Sequence, residues 1–199
     1  VRESVGNNFI LAVKINSSDF QKGGLEISDS VKIANLIEKE NIDFIEVSGG
    51  NFEAPEAYQY VSLKESTKSR EAYFLDAAKN IKASVSIPIM VTGGFRSISV
   101  MEDALTSSST DLIGIGRPFV IDPSFPYKLL NGDISVLPAV ERNFPPAQDI
   151  PKGAVLNWFC DQLALQGKTG KGDINIPLID GHERYIKQSD DCLLYTSDA

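Results

Sequence analysis

Apolar and polar positions along the first part of this chain fall into a repeating order. A short, nearly continuous apolar run is followed by a longer stretch with apolar residues every three to four positions. The runs cover residues 9–15 (broken by Lys14), 42–47, 87–91 and 112–115, and each reads as a buried strand. Between them the spacing predicts helices over residues 29–40, with Ser28 as N-cap and Val31, Ala34 and Ile37 on one face, and over 70–82, with Tyr73, Ala77 and Ile81 one turn apart. Ser99-Val100-Met101-Glu102 fits a capping box for a third helix. Pro118 suits the start of a fourth. The interval after the second strand is the longest and carries Gly49-Gly50 with Phe52, Tyr58 and Tyr60.

Strands alternating with helices imply a parallel sheet with right-handed crossovers. Four parallel strands cannot close into a barrel and leave two open edges. The last two strands end in glycine: Thr92-Gly93-Gly94-Phe95-Arg96 and Gly114-Ile115-Gly116-Arg117-Pro118. Backbone N–H groups without side chains in the way approach an anion closely, and a following helix N-terminus adds positive potential. In (β/α)8 barrels the loops after strands 7 and 8 commonly build a phosphate site. The expected fold is therefore α/β, the C-terminal half of a (β/α)8 barrel (strands 5–8), with the first half missing. Arg117 would add a fork of donors to a phosphate; its plainer role is a surface ion pair. Lys14 interrupts the first apolar strand and is read at its carboxyl end. Three roles stay open for it: stabilising negative charge on a cofactor, forming a Schiff base, or pairing with an acid such as Glu46.

Composition narrows the classes. The 199 residues are 42% hydrophobic and 23% charged, an ordinary globular balance. A net charge of −8 with no basic cluster argues against nucleic acid. No long apolar stretch predicts a membrane span, and no leader is visible. Two cysteines, Cys160 and Cys192, and one histidine, His182, make neither a disulfide framework nor a metal site. A cytoplasmic setting is expected. Gly167-Lys168-Thr169 is no P-loop, because it follows a helix and Gln162 stands where the first glycine belongs.

Past Pro118 the pattern weakens. Asp122-Pro123 and Asn131-Gly132 are turn signals. A Pro-rich stretch follows, then an amphipathic helix over 154–166, with Val155, Trp158, Phe159 and Leu163 on one face and Gly167 as its stop. It is expected to dock on the outside of a barrel. The predicted division is a partial barrel over 1–135, a linker and helical extension over 136–188, and a tail over 189–199 that fits no periodicity and is read as non-native or disordered.

Four ordered motifs now support a resemblance: Val13-Lys14-Ile15-Asn16-Ser17-Ser18-Asp19-Phe20, Ile45-Glu46-Val47-Ser48-Gly49-Gly50, Thr92-Gly93-Gly94-Phe95-Arg96 and Gly114-Ile115-Gly116-Arg117-Pro118. Over about residues 5–130 the chain resembles the C-terminal half of the Old Yellow Enzyme family of NADH:flavin oxidoreductases. The resemblance implies a barrel in which FMN is reduced by NAD(P)H and reduces an activated alkene or similar small-molecule acceptor. By the resemblance Lys14 lies near the pyrimidine edge of the flavin, where many members have Arg. Gly93, Gly94, Gly116 and Arg117 would hold the FMN phosphate. The family's substrate-anchoring pair and proton donor belong to the absent half, so no catalytic residue is assigned, and the chain alone is expected to be inactive. The alternatives are an aldolase-like barrel with Lys14 as Schiff-base former and a non-catalytic half-barrel completed by a partner; oligomerisation is left open.

Overall fold

The computed structural model describes residues 1–19, 22–49 and 71–197. Phe20, Gly50, the aromatic group of Phe52, Tyr58 and Tyr60, and the expected helix start at Arg70 lie outside the described residues. The described chain divides into two compact units and passes from the first to the second between Ile115 and Gly116.

The first unit is a parallel sheet with its connecting helices. After a single helical turn, α1 (Arg2–Val5), come β1 (Ala12–Asn16), α2 (Ile27–Glu38), β2 (Phe44–Ser48), α3 (Leu75–Lys82), β3 (Ile89–Thr92), α4 (Ile98–Thr106) and β4 (Leu112–Gly114). The strand order is β1-β2-β3-β4, each pair parallel, as the apolar runs predict. Alternate residues of a strand face opposite sides. Ile45 and Val47 of β2 and Ile89 and Val91 of β3 are fully buried on one side. Ala34 of α2 and Ala78 and Ile81 of α3 are equally buried, and α2 packs on β1 and α3 on β3. Lys14, Glu46, Met90 and Leu112 stand in one register row on the opposite side.

Several boundaries differ from expectation. Phe9 and Ile10 are exposed, and β1 starts only at Ala12. Helix α2 begins at Ile27 with Glu26 at its N-cap, so Ser28 lies inside it. Helix α3 starts at Leu75 because Ala72 has φ +55°, which no right-handed helix accepts. Helix α4 starts after Ser97, so the capping-box reading of Ser99 and Glu102 fails.

The second unit is helical: α5 (Arg117–Ile121), α6 (Phe125–Leu130), two 3₁₀ turns at Val140–Asn143 and Ala147–Asp149, α7 (Ala154–Thr169) and α8 (Leu178–Ser197). Its core joins Ala154, Trp158, Phe159 and Leu178, with Val120, Val140, Phe144 and Ile176 packed around them. Trp158 Nε1 donates to the Ile176 carbonyl at 2.9 Å. An added Cβ on Gly181 would lie 2.5 Å from the Trp158 ring, so α8 approaches α7 through that glycine. Leu163, expected on the buried face, is half-exposed, and α7 continues through Gly167 to an αL cap at Gly170. Helix α8 runs without a break past Ser189, where the sequence shows no period.

Candidate functional site

Lys14 is the middle residue of β1, two register rows below the strand's carboxyl end at Asn16, rather than at the end itself. Its Nζ lies 2.7 Å from Glu46 Oε1, the directly opposite residue of β2. Of the three roles open in the sequence, the pairing with Glu46 is thus present. The Lys14 side chain is 55% exposed and that of Glu46 only 20%.

At the carboxyl end of β3, Gly93 has φ +153° and Gly94 φ +82°. A side chain is excluded there twice over. The backbone disfavours it, and an added Cβ would lie 2.6 Å from the Phe74 ring at Gly93 and 2.7 Å from the Tyr73 ring at Gly94. These glycines therefore seat two of the chain's own aromatic rings as well as making the turn. The Tyr73 N–H closes the contact by donating to the Gly93 carbonyl at 3.2 Å. Among the described residues, the Gly94 N–H has no backbone partner.

The helix after this turn carries a feature that sequence reasoning missed. Glu71 accepts the N–H groups of Arg96 at 2.6 Å and Ser97 at 2.7 Å, and the Ser97 hydroxyl as well. A carboxylate of the chain itself thus occupies the N-terminus of α4, where the sequence suggested positive potential for an external anion. Arg96 is buried, with Nη1 donating to the Phe95 carbonyl at 2.7 Å. Nothing local predicts Glu71 in this role, because the residues it caps lie 25 and 26 positions away.

At the carboxyl end of β4, Gly114 stands opposite Thr92 of β3. An added Cβ there would lie 1.8 Å from Thr92 Oγ1, so the close approach of the two strands requires glycine. In the second unit, Gly116 precedes α5 with open space where a Cβ would be, and its N–H has no backbone partner among the described residues. Arg117 Nη1 lies 2.8 Å from Glu141 Oε1. The Arg117 side chain is 34% exposed and Glu141 2%, so this is a buried acid with a half-buried counterion rather than a surface pair. Within the first unit the Gly94 amide, and within the second the Gly116 amide and the Arg117 guanidinium, are each donors of a kind that an anion takes.

The family profile for NADH:flavin oxidoreductase / NADH oxidase matches residues 1–133, and the chain belongs to that family. It is 37% identical over 135 residues to an NADH-dependent flavin oxidoreductase of Neonectria sp. (strain DH2), an alignment covering 63% of this chain and 17% of that protein. It is 32% identical over 148 residues to an NADH-dependent flavin oxidoreductase of Aspergillus parasiticus, covering 71% of this chain and 32% of that one. The chain thus spans at most about a third of these relatives. Among solved structures it is similar to a 2-naphthoyl-CoA reductase in complex with 2-naphthoyl-CoA, with a TM-score of 0.59 and 27% identity over 68% of this chain and 20% of that one. A histamine dehydrogenase from Rhizobium sp. 4-9 shares the fold at a TM-score of 0.53 and 20% identity, over 66% of this chain and 18% of that one. No described helix is long and apolar enough to cross a membrane.

Proposed function

We propose that this chain is the phosphate-end portion of an FMN-dependent oxidoreductase, strands 5–8 of a (β/α)8 barrel, that uses NAD(P)H to reduce an activated alkene or similar small-molecule acceptor. The observation that carries the reading is the succession of parallel strands ending in Gly93-Gly94 and in Gly114-Ile115-Gly116-Arg117, inside the stretch that matches the flavin family. Bound FMN would supply the redox chemistry, taking a hydride from the nicotinamide and passing it to the acceptor. Lys14 faces the ring and offsets its negative charge. The backbone at Gly93, Gly94 and Gly116 and the guanidinium of Arg117 hold the phosphate. The chain carries no assigned proton donor, and the 199 residues alone are inactive until the remaining strands complete the barrel.

The Schiff-base reading loses ground on one observation. Lys14 is ion-paired and more than half exposed, whereas a nucleophilic lysine is activated by desolvation or by a neighbouring cation. The test is cofactor identity in the protein with its complete barrel. Heat should release FMN, identified by chromatography, and NAD(P)H should bleach the bound flavin. Recovered FAD, or a colourless protein trapped at Lys14 by borohydride with a carbonyl substrate, would overturn the proposal.

A further inference from the structure

We infer that Glu46 is the positioning residue for Lys14 and so sets the charge that the flavin ring meets; the inference rests on the FMN reading above. Strands β1 and β2 are parallel, with Lys14 and Glu46 in register. Their side chains therefore leave the sheet on the same side, away from the face on which Ile45 and Val47 are buried. The next residues in that row are Met90 and Leu112, which offer Nζ neither an acceptor nor a competing charge. Glu46 is the covered member of the pair and Lys14 the exposed one. The anion is therefore the fixed point, and the lysine stem takes its direction from it. A lysine without such an acceptor is a hydrated point charge on a flexible four-carbon chain, free to turn away.

Two effects of Glu46 then act together and are separable. Its position holds the ammonium over the sheet face, and its charge cancels part of the ammonium's field. A cation beside the ring favours the anionic reduced flavin and raises the reduction potential. Gln at position 46 keeps an acceptor oxygen at the same reach but removes the negative charge, so Lys14 stays in place with its field uncancelled. Leu removes both, and Lys14 is released to solvent.

The experiment measures the flavin potential by dye equilibration in the flavin-loaded protein with its complete barrel. The expected order is Glu46→Gln above the parent and Glu46→Leu fallen to the level of Lys14→Met. In the Lys14→Met background the Glu46→Gln shift should vanish. Equal potentials for the Gln and Leu variants, or a Gln shift that persists without Lys14, would overturn positioning while leaving the FMN reading intact. A Lys14→Met potential equal to the parent's would instead refute the flavin role of Lys14 itself. A second readout needs no flavin. Reductive methylation of Lys14, followed by mass spectrometry, should be several-fold faster in Glu46→Leu than in the parent and close to the parent in Glu46→Gln. Equal rates in all three would count against the inference.

Discussion

The guanidinium of Arg117 is the counterion of a carboxylate, Glu141, that is almost wholly buried, with 2.8 Å between Nη1 and Oε1. This relation changes what a substitution at Arg117 reports. Removing one partner of a buried pair leaves an uncompensated charge and costs about 3–5 kcal/mol when both are buried. Arg117 is one-third exposed, so a cost of about 2–3 kcal/mol is expected for Arg117→Ala, near that of a charged hydrogen bond. The double variant Arg117→Ala/Glu141→Gln should recover most of it. Denaturant unfolding of the four-member cycle checks this; additive costs would show that the pair is not coupled.

Thr92 and Gly114 make a second close relation with a sharp consequence. Gly114→Ala would place its Cβ 1.8 Å from Thr92 Oγ1 and 2.8 Å from Thr92 Cβ. Overpacking of this kind costs about 1–3 kcal/mol, and part of the contact is with a Cβ that cannot move without moving β3. Thr92→Ala should relieve only part of the loss, because the Cβ contact remains. By itself Thr92→Val should be neutral or slightly stabilising, since the Thr92 hydroxyl is buried without a partner among the described residues. A loss of stability in Thr92→Val, seen as a lower thermal midpoint, would mean that the hydroxyl has a partner.

The strands of the sheet are legible because they are short segments rich in Val, Ile and Phe between helical stretches, as Phe44-Ile45-Glu46-Val47 and Ile89-Met90-Val91 are. What is not legible depends on distant partners or single backbone angles. Glu71 caps a helix it precedes by some 25 residues. The start of α3 is fixed by the positive φ of Ala72, a residue with no turn signal. Glu141 lies beyond the residues that match the family, so no motif points to its pairing with Arg117. Helix α8 escaped because Asp180, Glu183 and Lys187 interrupt its apolar positions, and it reads as a helix only once Trp158 rests against Gly181.

Acid should loosen the first unit through two aspartates. The Leu11 N–H and the Arg2 guanidinium hold the Asp43 carboxyl below its ordinary 3.8. At Asp111 burial pushes upward, but Lys82 and the Ile89 N–H outweigh it and the result is again lowered. A carboxyl lowered in the folded state stabilises the fold when ionised. Its contribution is present above the unfolded value of about 4 and is lost as pH falls below that and through the folded value. Urea midpoints should therefore hold steady from pH 7 to about 5 and drop below about 4. Asp43→Asn and Asp111→Asn should each lower the plateau and flatten the drop; unchanged acid profiles in both would show that these pairs carry no linkage.

The proposed phosphate role of Arg117 is best tested where its folding role is neutralised. In Arg117→Ala/Glu141→Gln both charges of this pair are removed together, so a loss of cofactor affinity is separated from the cost of stranding the Glu141 carboxylate. The informative comparison is FMN against riboflavin, which carries the same ring without the phosphate. A charge-assisted hydrogen bond to phosphate is worth roughly 1.5–3 kcal/mol. The FMN dissociation constant of the apoprotein with its complete barrel should therefore rise by about ten- to a hundred-fold, while riboflavin binds as in the parent. A pair that served only to neutralise Glu141 would leave both affinities where they were. A loss shared equally by FMN and riboflavin would point to a distorted ring site, and either result would remove Arg117 from the phosphate.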